Sequence, residues 1–299
     1  MNTKRTRVSI SNMLINLFFT LFSLTFIIPF LMVLAVSLSN EEDIQNFGYK
    51  IIPMRFDIMG YRWVFSNPQQ IIDSYKFTAL QSILGTILAV VVMALCAYSL
   101  SRRNFKLRGP ITYMIFFTMV FSGGLMPSYI LTKQYLHLDD TLWVYILPVL
   151  ASPFQIIVFR TFFQELPPSL IESAKMDGAS EWRIFFQIVM PLSKPVMATI
   201  SLICLLDRWN NWNTSLLYIR EQKLYTLQYL LQRILREADY IRSIAQDDPM
   251  GALGAQAKQI PMETMMFAMC VVAAGPMLLV FPFFQKYFAR GLTVGAVKG

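Results

Sequence analysis

Apolar residues in this chain gather into long runs separated by short polar segments. A helix needs about 20 residues to cross the hydrocarbon core of a bilayer. Six runs approach or exceed that length: Leu14–Leu38, Ala79–Leu100, Ile111–Thr132, Leu142–Phe159, Val196–Leu217 and Thr264–Phe284. None alternates apolar and polar positions as the strands of a membrane barrel do. The pattern predicts an all-α membrane protein of six transmembrane helices, one domain over residues 1–299. The first run follows a basic start, Met1 to Arg7, but is too long for the apolar core of a signal peptide and reads as a retained span.

Composition agrees. Residues are 55% hydrophobic and 15% charged, against about 25% charged in a typical soluble domain. The net charge of +8 comes without a basic stripe interleaved with aromatics, so no nucleic-acid partner is expected. In a membrane protein such an excess belongs to cytoplasmic loops. One set of alternate segments carries Lys4, Arg5, Arg7, Arg102, Arg103, Lys106, Arg108, Arg160, Lys175, Arg183, Lys194, Lys286, Arg290 and Lys298, opposed by Glu165, Glu172, Asp177 and Glu181. The other set is richer in acids, among them Glu41, Glu42, Asp43, Asp139, Asp140, Asp247 and Asp248. The positive-inside rule therefore places both termini in the cytoplasm. Cys96, Cys204 and Cys270 lie in apolar runs without metal-like spacing and read as small buried hydrophobes, and no metal site is expected. The lone His137, in an outer loop, reads as a surface residue.

Two outer segments, 39–78 and 218–263, exceed ordinary loop lengths. In the second, Leu227, Leu230, Leu231 and Ile234 keep helical spacing, which fits a helix packed on its neighbours or on the membrane surface better than one reserved for an external partner.

The segment 165–195, on the inner side, predicts an elbow of two short helices. Pro167 and Pro168 end the preceding helix, Ser169 with Glu172 forms a capping box, Asp177-Gly178 stops the first helix, and a second starts near Ser180 and runs to Pro191. Ile171, Ala174 and Met176 are expected to form its exposed apolar anchors, with small Ala174 admitting a close partner. Glu172-Ser173-Ala174, then Gly178, Ile188 and Pro191 resemble the EAA motif of bacterial ABC-importer permeases: Glu-Ala-Ala, three residues, Gly, nine residues, Ile-x-Leu-Pro. Ser173 and Met190 depart from it by small or volume-conserving changes. Asp177 to Ser180 and Pro191-Leu192 further resemble the carbohydrate-uptake, maltose-permease-like branch.

The resemblance implies a type I importer permease in the bacterial inner membrane, with the elbow as a coupling helix seated on a separate ATP-hydrolysing subunit. It also implies a second homologous permease, two ATPase subunits holding ATP and Mg, an extracytoplasmic solute-binding protein and a sugar substrate. The chain itself, lacking a GxxxxGK[ST] loop, is expected to bind no cofactor and catalyse nothing.

Polar residues inside spans usually face a cavity or a partner helix. The fifth run carries Asp207, Arg208, Trp209, Asn210, Asn211, Trp212 and Asn213. Indole faces and amides suit saccharides, so the set, Trp212 apart, is a candidate substrate path, and the cluster resembles the sugar-importer branch. Arg208 suggests an acidic, uronate-containing oligo- or polysaccharide. The plain structural alternative is an Asp207–Arg208 pair within an aromatic belt. In the third run Ser122, Gly123, Gly124 and Pro127 predict a broken helix, with close packing more expected than substrate contact. Phe121 to Pro127 resembles the oligosaccharide and polysaccharide subgroup. Pro148, Pro153, Pro276 and Pro282 suggest kinks, and Met262, Met265, Met266 and Met269 adaptable packing. A secondary transporter would show inverted repeats and membrane carboxylates, a scaffold would leave the elbow unexplained, and a membrane enzyme would need a catalytic constellation. An ABC importer of a non-sugar solute is the remaining alternative.

Overall fold

The computed structural model describes residues 10–247 and 260–296. Lys4, Arg5, Arg7, Asp248 and Lys298 of the charge pattern lie outside the described residues. In chain order the helices are α1 (Ile10–Ser37), α2 (Glu41–Phe47), α3 (Met59–Val64), α4 (Pro68–Ser101), α5 (Arg108–Val120), α6 (Leu125–Ile130) and α7 (Pro153–Glu165). Then follow α8 (Pro168–Met176), α9 (Glu181–Ile184), α10 (Met190–Leu192), α11 (Lys194–Trp209), α12 (Asn213–Tyr218), α13 (Leu227–Asp247) and α14 (Met262–Ala296). Among the described residues no strand forms beyond an isolated bridge between Ser39 and Phe56. The chain divides into two compact units, residues 1–67 with 233–275 and residues 68–232 with 276–299.

In the first unit α1 is apolar on every side and exposed along most of its length, the character of a lipid-facing span. The chain then turns back on itself: the Asp57 amide donates to the Leu38 carbonyl at 2.9 Å and Asn40 caps α2 through the Glu42 amide at 3.1 Å. The Glu41 carboxylate accepts from the Glu263 and Thr264 amides at 3.1 and 3.0 Å, satisfying orphan donors at the start of α14. Gly60 lets α3 touch that same turn, since a Cβ there would stand 2.7 Å from the Thr264 backbone. The segment read as a long outer loop is thus mostly helical and tied down.

In the second unit α4 is the central element, packed against α7 and α11. Its Ala89, Ala94 and Ala97 are buried, and small residues allow helix axes to approach. Lipid tails are as apolar as the core, so this contact gains from packing and not from removal of water. Tyr129 and Tyr218 stack at 5.5 Å, and Asp140 accepts from the Arg220 and Glu221 amides at 2.6 and 3.1 Å. Those amide bonds hold the Asp140 carboxyl below its usual range.

The spans differ from expectation in identifiable ways. Three helices are long and apolar enough to cross a membrane, Met13–Ser37, Pro68–Ser101 and Met262–Gln285, and two bent pairs raise the number to five among the described residues. The second run begins at Pro68, not near Ala79, because proline at the first helical position suits a helix start. The third is broken: α5 and the helix Leu125–Tyr135 meet at 115°. The fourth, Leu142–Phe159, is not one helix. A 3-10 turn over Leu142–Tyr145 gives way to extended and irregular chain before α7. Pro148 donates no amide, and Pro153 drives Ser152 to extended geometry (φ −93°, ψ 119°). The fifth ends at Trp209 and resumes as α12. Cys204 is buried as expected, but Cys96 is half-buried and Cys270 exposed. Met265 and Met269 are buried, as adaptable packing requires.

The close approach at Gly60 makes a prediction. Gly60→Ala should lower the thermal midpoint of the detergent-solubilised protein, at a cost of about 1–3 kcal/mol for overpacking. An unchanged midpoint would contradict the contact.

Candidate functional site

Two places concentrate chemistry, both in the second unit. The first is the elbow. α8 starts with Pro167 at the N-cap and Pro168 at the first helical position, so the Ser169–Glu172 capping box does not form: Ser169 lies already inside the helix. The helix ends as read. Gly178 takes φ +77°, its amide donates to the Lys175 carbonyl at 3.0 Å, and the Ala179 amide reaches Ala174 at 2.9 Å. This is a Schellman closure, which requires a left-handed residue where glycine stands. Ser180 then caps α9 by accepting from the Arg183 amide at 3.3 Å. A π-turn over Phe185–Val189 carries the chain to α10, and α9–α10 meet α11 at 82°.

Of the three apolar anchors expected on the elbow's outside, Met176 is exposed but Ile171 and Ala174 are not. Ile171 and Ala174 are buried in one cluster with Ala97, Tyr98, Ile184 and Phe185. They anchor the elbow to α4 instead of facing outward, because positions three apart on a short helix share one side. The outward surface is made by Leu170, Met176, Trp182 and Phe186, with Met176 89% and Trp182 64% exposed and the Trp182 and Phe186 rings stacked at 6.1 Å. Glu172, Ser173, Asp177 and Gly178 are exposed on it, while Ile188 is half-buried. Pro191 stands in α10 and is exposed, just before the bend.

The second place is a cavity of about 320 Å³ lined by Pro148, Ser152, Gln155, Asp207, Arg208 and Asn211 among others. Arg208 is 4% exposed. Its two terminal nitrogens donate to the Tyr145 and Val149 carbonyls at 2.9 and 3.1 Å, and its own carbonyl accepts from Gln81 at 2.9 Å. The guanidinium lies where a side chain on Gly85 would stand, an added Cβ falling 2.7 Å from its nitrogen. The charge is thus stabilised by two backbone carbonyl dipoles, and among the described residues no ion pair joins it to Asp207.

Asp207 is exposed and Asn211 half-buried, both on the cavity; Asn211 also accepts from the Thr214 amide at 3.0 Å and so starts α12. Trp209 is buried, its ring 6.3 Å from Tyr75, in the core and not presented for stacking on a ligand. Asn210 and Asn213 are exposed, with Asn210 accepting from Gln228 at 3.2 Å. Ser122, Gly123, Gly124 and Pro127 do break their helix, with Gly124 at φ +84°, and among the described residues the break is exposed, with nothing within 4 Å of where a Gly124 Cβ would stand. His137 is exposed, as expected.

Sequence reading missed Gln81, Gly85, Ser152 and Gln155. The signal was present in part: Gln81 interrupts an apolar run as Asp207 does, whereas Gly85 shows its purpose only beside Arg208.

Arg208→Met leaves two carbonyls without donors and should destabilise the protein by about 1–3 kcal/mol for each. Gly85→Ala should be costly beside Arg208 but nearly neutral in the Arg208→Met background, because the clashing atoms are gone. Thermal unfolding of the four variants measures this coupling. Additive costs would contradict the packing of Arg208 on Gly85.

Comparison with known proteins bears on both places. Residues 91–294 match the family "Binding-protein-dependent transport system inner membrane component". The chain is 38% identical, over 96% of its length and 98% of the relative's, to the polygalacturonan/rhamnogalacturonan transport system permease protein YtcP of Bacillus subtilis. It is 30% identical, over 97% of each, to the arabinooligosaccharides transport system permease protein AraQ of the same organism. A crystal structure of a bacterial ABC transporter involved in import of the acidic polysaccharide alginate contains a chain that superposes with TM-score 0.75 at 26% identity, over 96% of this chain and all of that one. With a matched segment that takes in the elbow and α11 and relatives aligned over nearly their whole length, this multi-pass membrane protein belongs to the inner-membrane components of binding-protein-dependent transport systems.

Proposed function

We propose that this chain is one of two permease subunits of an ATP-driven importer of acidic oligosaccharides, and that its elbow receives the push from an ATPase subunit. The observation that carries the coupling reading is the elbow's outward apolar surface, Leu170, Met176, Trp182 and Phe186, held on a base anchored by Ile171 and Ala174. An aromatic pair and a flexible methionine ringed by Glu172, Lys175 and Arg183 have the composition of a protein-binding hot spot, and such a surface needs a partner. The excess of Lys and Arg on the elbow's side supports a cytoplasmic location, and with it cytoplasmic termini. ATP and Mg belong to that partner, and a solute-binding protein delivers substrate on the other side.

The saccharide reading rests on the cavity and on the relatives. Asp207, Asn211, Gln155 and Ser152 offer the mixed donors and acceptors that hydroxyl groups require. Likeness to the polygalacturonan/rhamnogalacturonan permease supports a saccharide of galacturonate type, and likeness to the transporter of the acidic polysaccharide alginate supports its acidic character. Arg208 is committed to carbonyls, so carboxylates of the sugar are recognised by the delivering protein or the second permease, and this chain contacts hydroxyls. A neutral arabino-oligosaccharide is the second reading, favoured by the arabinooligosaccharide relative and by the Asp207 charge beside the cavity.

Proteoliposomes holding the co-expressed permease pair, ATPase and binding protein should take up trigalacturonate only with ATP inside, and arabinotriose far more slowly. Preference for arabinotriose selects the second reading, and uptake of either without ATP contradicts the coupling. Gly178→Val, which forces a β-branched residue to φ +77°, should lower ATP-driven uptake at least tenfold.

A further inference from the structure

The elbow must hold its shape against the span above it if a push on one is to move the other. Two short helices with a glycine between them are not rigid by themselves. Apolar packing from Ile171, Ala174 and Phe185 fixes their distance from α4 but leaves them able to slide, because such contacts are non-directional. Directional bonds prevent sliding, and a small cluster of them stands at the end of α4.

Tyr98, one helical turn before the end of α4, donates its hydroxyl to the Glu181 carboxylate at 2.5 Å. The other oxygen of Glu181 receives the Lys175 ammonium at 2.6 Å. Lys175 lies in α8 and Glu181 in α9, so one carboxylate bridges both arms of the elbow across the Gly178 turn. Arg102 completes the set: it donates to the Tyr98 hydroxyl at 2.5 Å and lies 4.2 Å above the Tyr98 ring. The ring in turn packs 5.2 Å from Phe185. Tyr98 is buried, whereas the Lys175 and Glu181 side chains are about half exposed (46% and 53%). An exposed ion pair alone holds little; the buried phenol supplies the fixed point.

We propose that Tyr98 and Glu181 are positioning residues for energy coupling: together with Lys175 and Arg102 they lock the two arms of the elbow to the end of α4, so that elbow and span move as one body during the ATP cycle. The proposal deepens the coupling reading and rests on it. Glu181 lies outside the motif that carried the family resemblance, and Tyr98 is buried at the end of α4 and forms no part of the proposed ATPase-binding surface.

The test measures relative motion in the assembled transporter. Spin labels go on Ser99 of α4 and Gln187 of the elbow, both exposed, and their separation is measured without nucleotide and with ATP and vanadate. In the parent, the two distributions should be narrow and superimposable. In Tyr98→Phe and Glu181→Gln they should broaden and differ between states, while Glu181→Asp should restore much of the parent behaviour. The double variant should be worse by less than the sum of the two single ones, since both act on the Tyr98–Glu181 contact. A loss of folded protein would lower the signal without separating the two states, so a merely structural role leaves this readout unmoved. Variant distributions identical to the parent's in a complex that keeps its ATPase would overturn the relay alone. A parent complex from which Met176→Asp fails to release the ATPase would count against the coupling reading itself, and the relay would fall with it.

Discussion

A buried guanidinium sets the terms for the rest of this molecule. Non-helical backbone in an apolar setting is tolerated only when its amides and carbonyls find partners, because nothing in lipid will supply them. The segment between Tyr145 and Pro153 is unwound, and Arg208 gives two of its carbonyls donors from a neighbouring helix. The charge in turn is tolerable because those dipoles surround it and because Gly85 leaves room for it. Each feature requires the others. Without the arginine two carbonyls of the segment would lack donors beside the cavity that Ser152, Gln155 and Asp207 line.

The same helix that holds Arg208 leads, across an 82° bend at Ser193, to the elbow. The α4 helix runs between the two places, meeting the guanidinium at Gly85 and the elbow at Tyr98. Cavity and elbow are therefore joined by two packed elements, α4 and α11. Close-packed helices shift as bodies and do not deform smoothly. In the proposed cycle this geometry converts a displacement at Met176 and Trp182 into a change at the cavity.

Much of this is legible in the residues, and the failures have physical causes. Runs without interruption, α1 and α14, are read correctly because length and apolarity alone decide them. The Gly178 stop and the helix start near Ser180 are read correctly because they are local chemistry. Leu142–Phe159 misleads because apolarity reports surroundings and not helicity, and the prolines that unwind it read as kinks in isolation. The capping box fails since Pro168 claims the helix start two residues earlier than a Ser169 cap allows. Ile171 and Ala174 point inward for a reason no local pattern contains, namely that α4 lies on that side. Arg208 is recognised as important from its depth, but its partners are carbonyls, which every residue has and no sequence motif marks.

The central claim, that a nucleotide-driven subunit pushes on the elbow, is most directly tested by cross-linking. A cysteine replacing Met176, in a background without Cys96, Cys204 and Cys270, should form a short-span cross-link to the co-expressed ATPase subunit in inner-membrane vesicles. The same cysteine should resist an impermeant thiol reagent applied to the outside of intact cells. Labelling from outside, or a complex in which position 176 never meets the ATPase, would contradict the account.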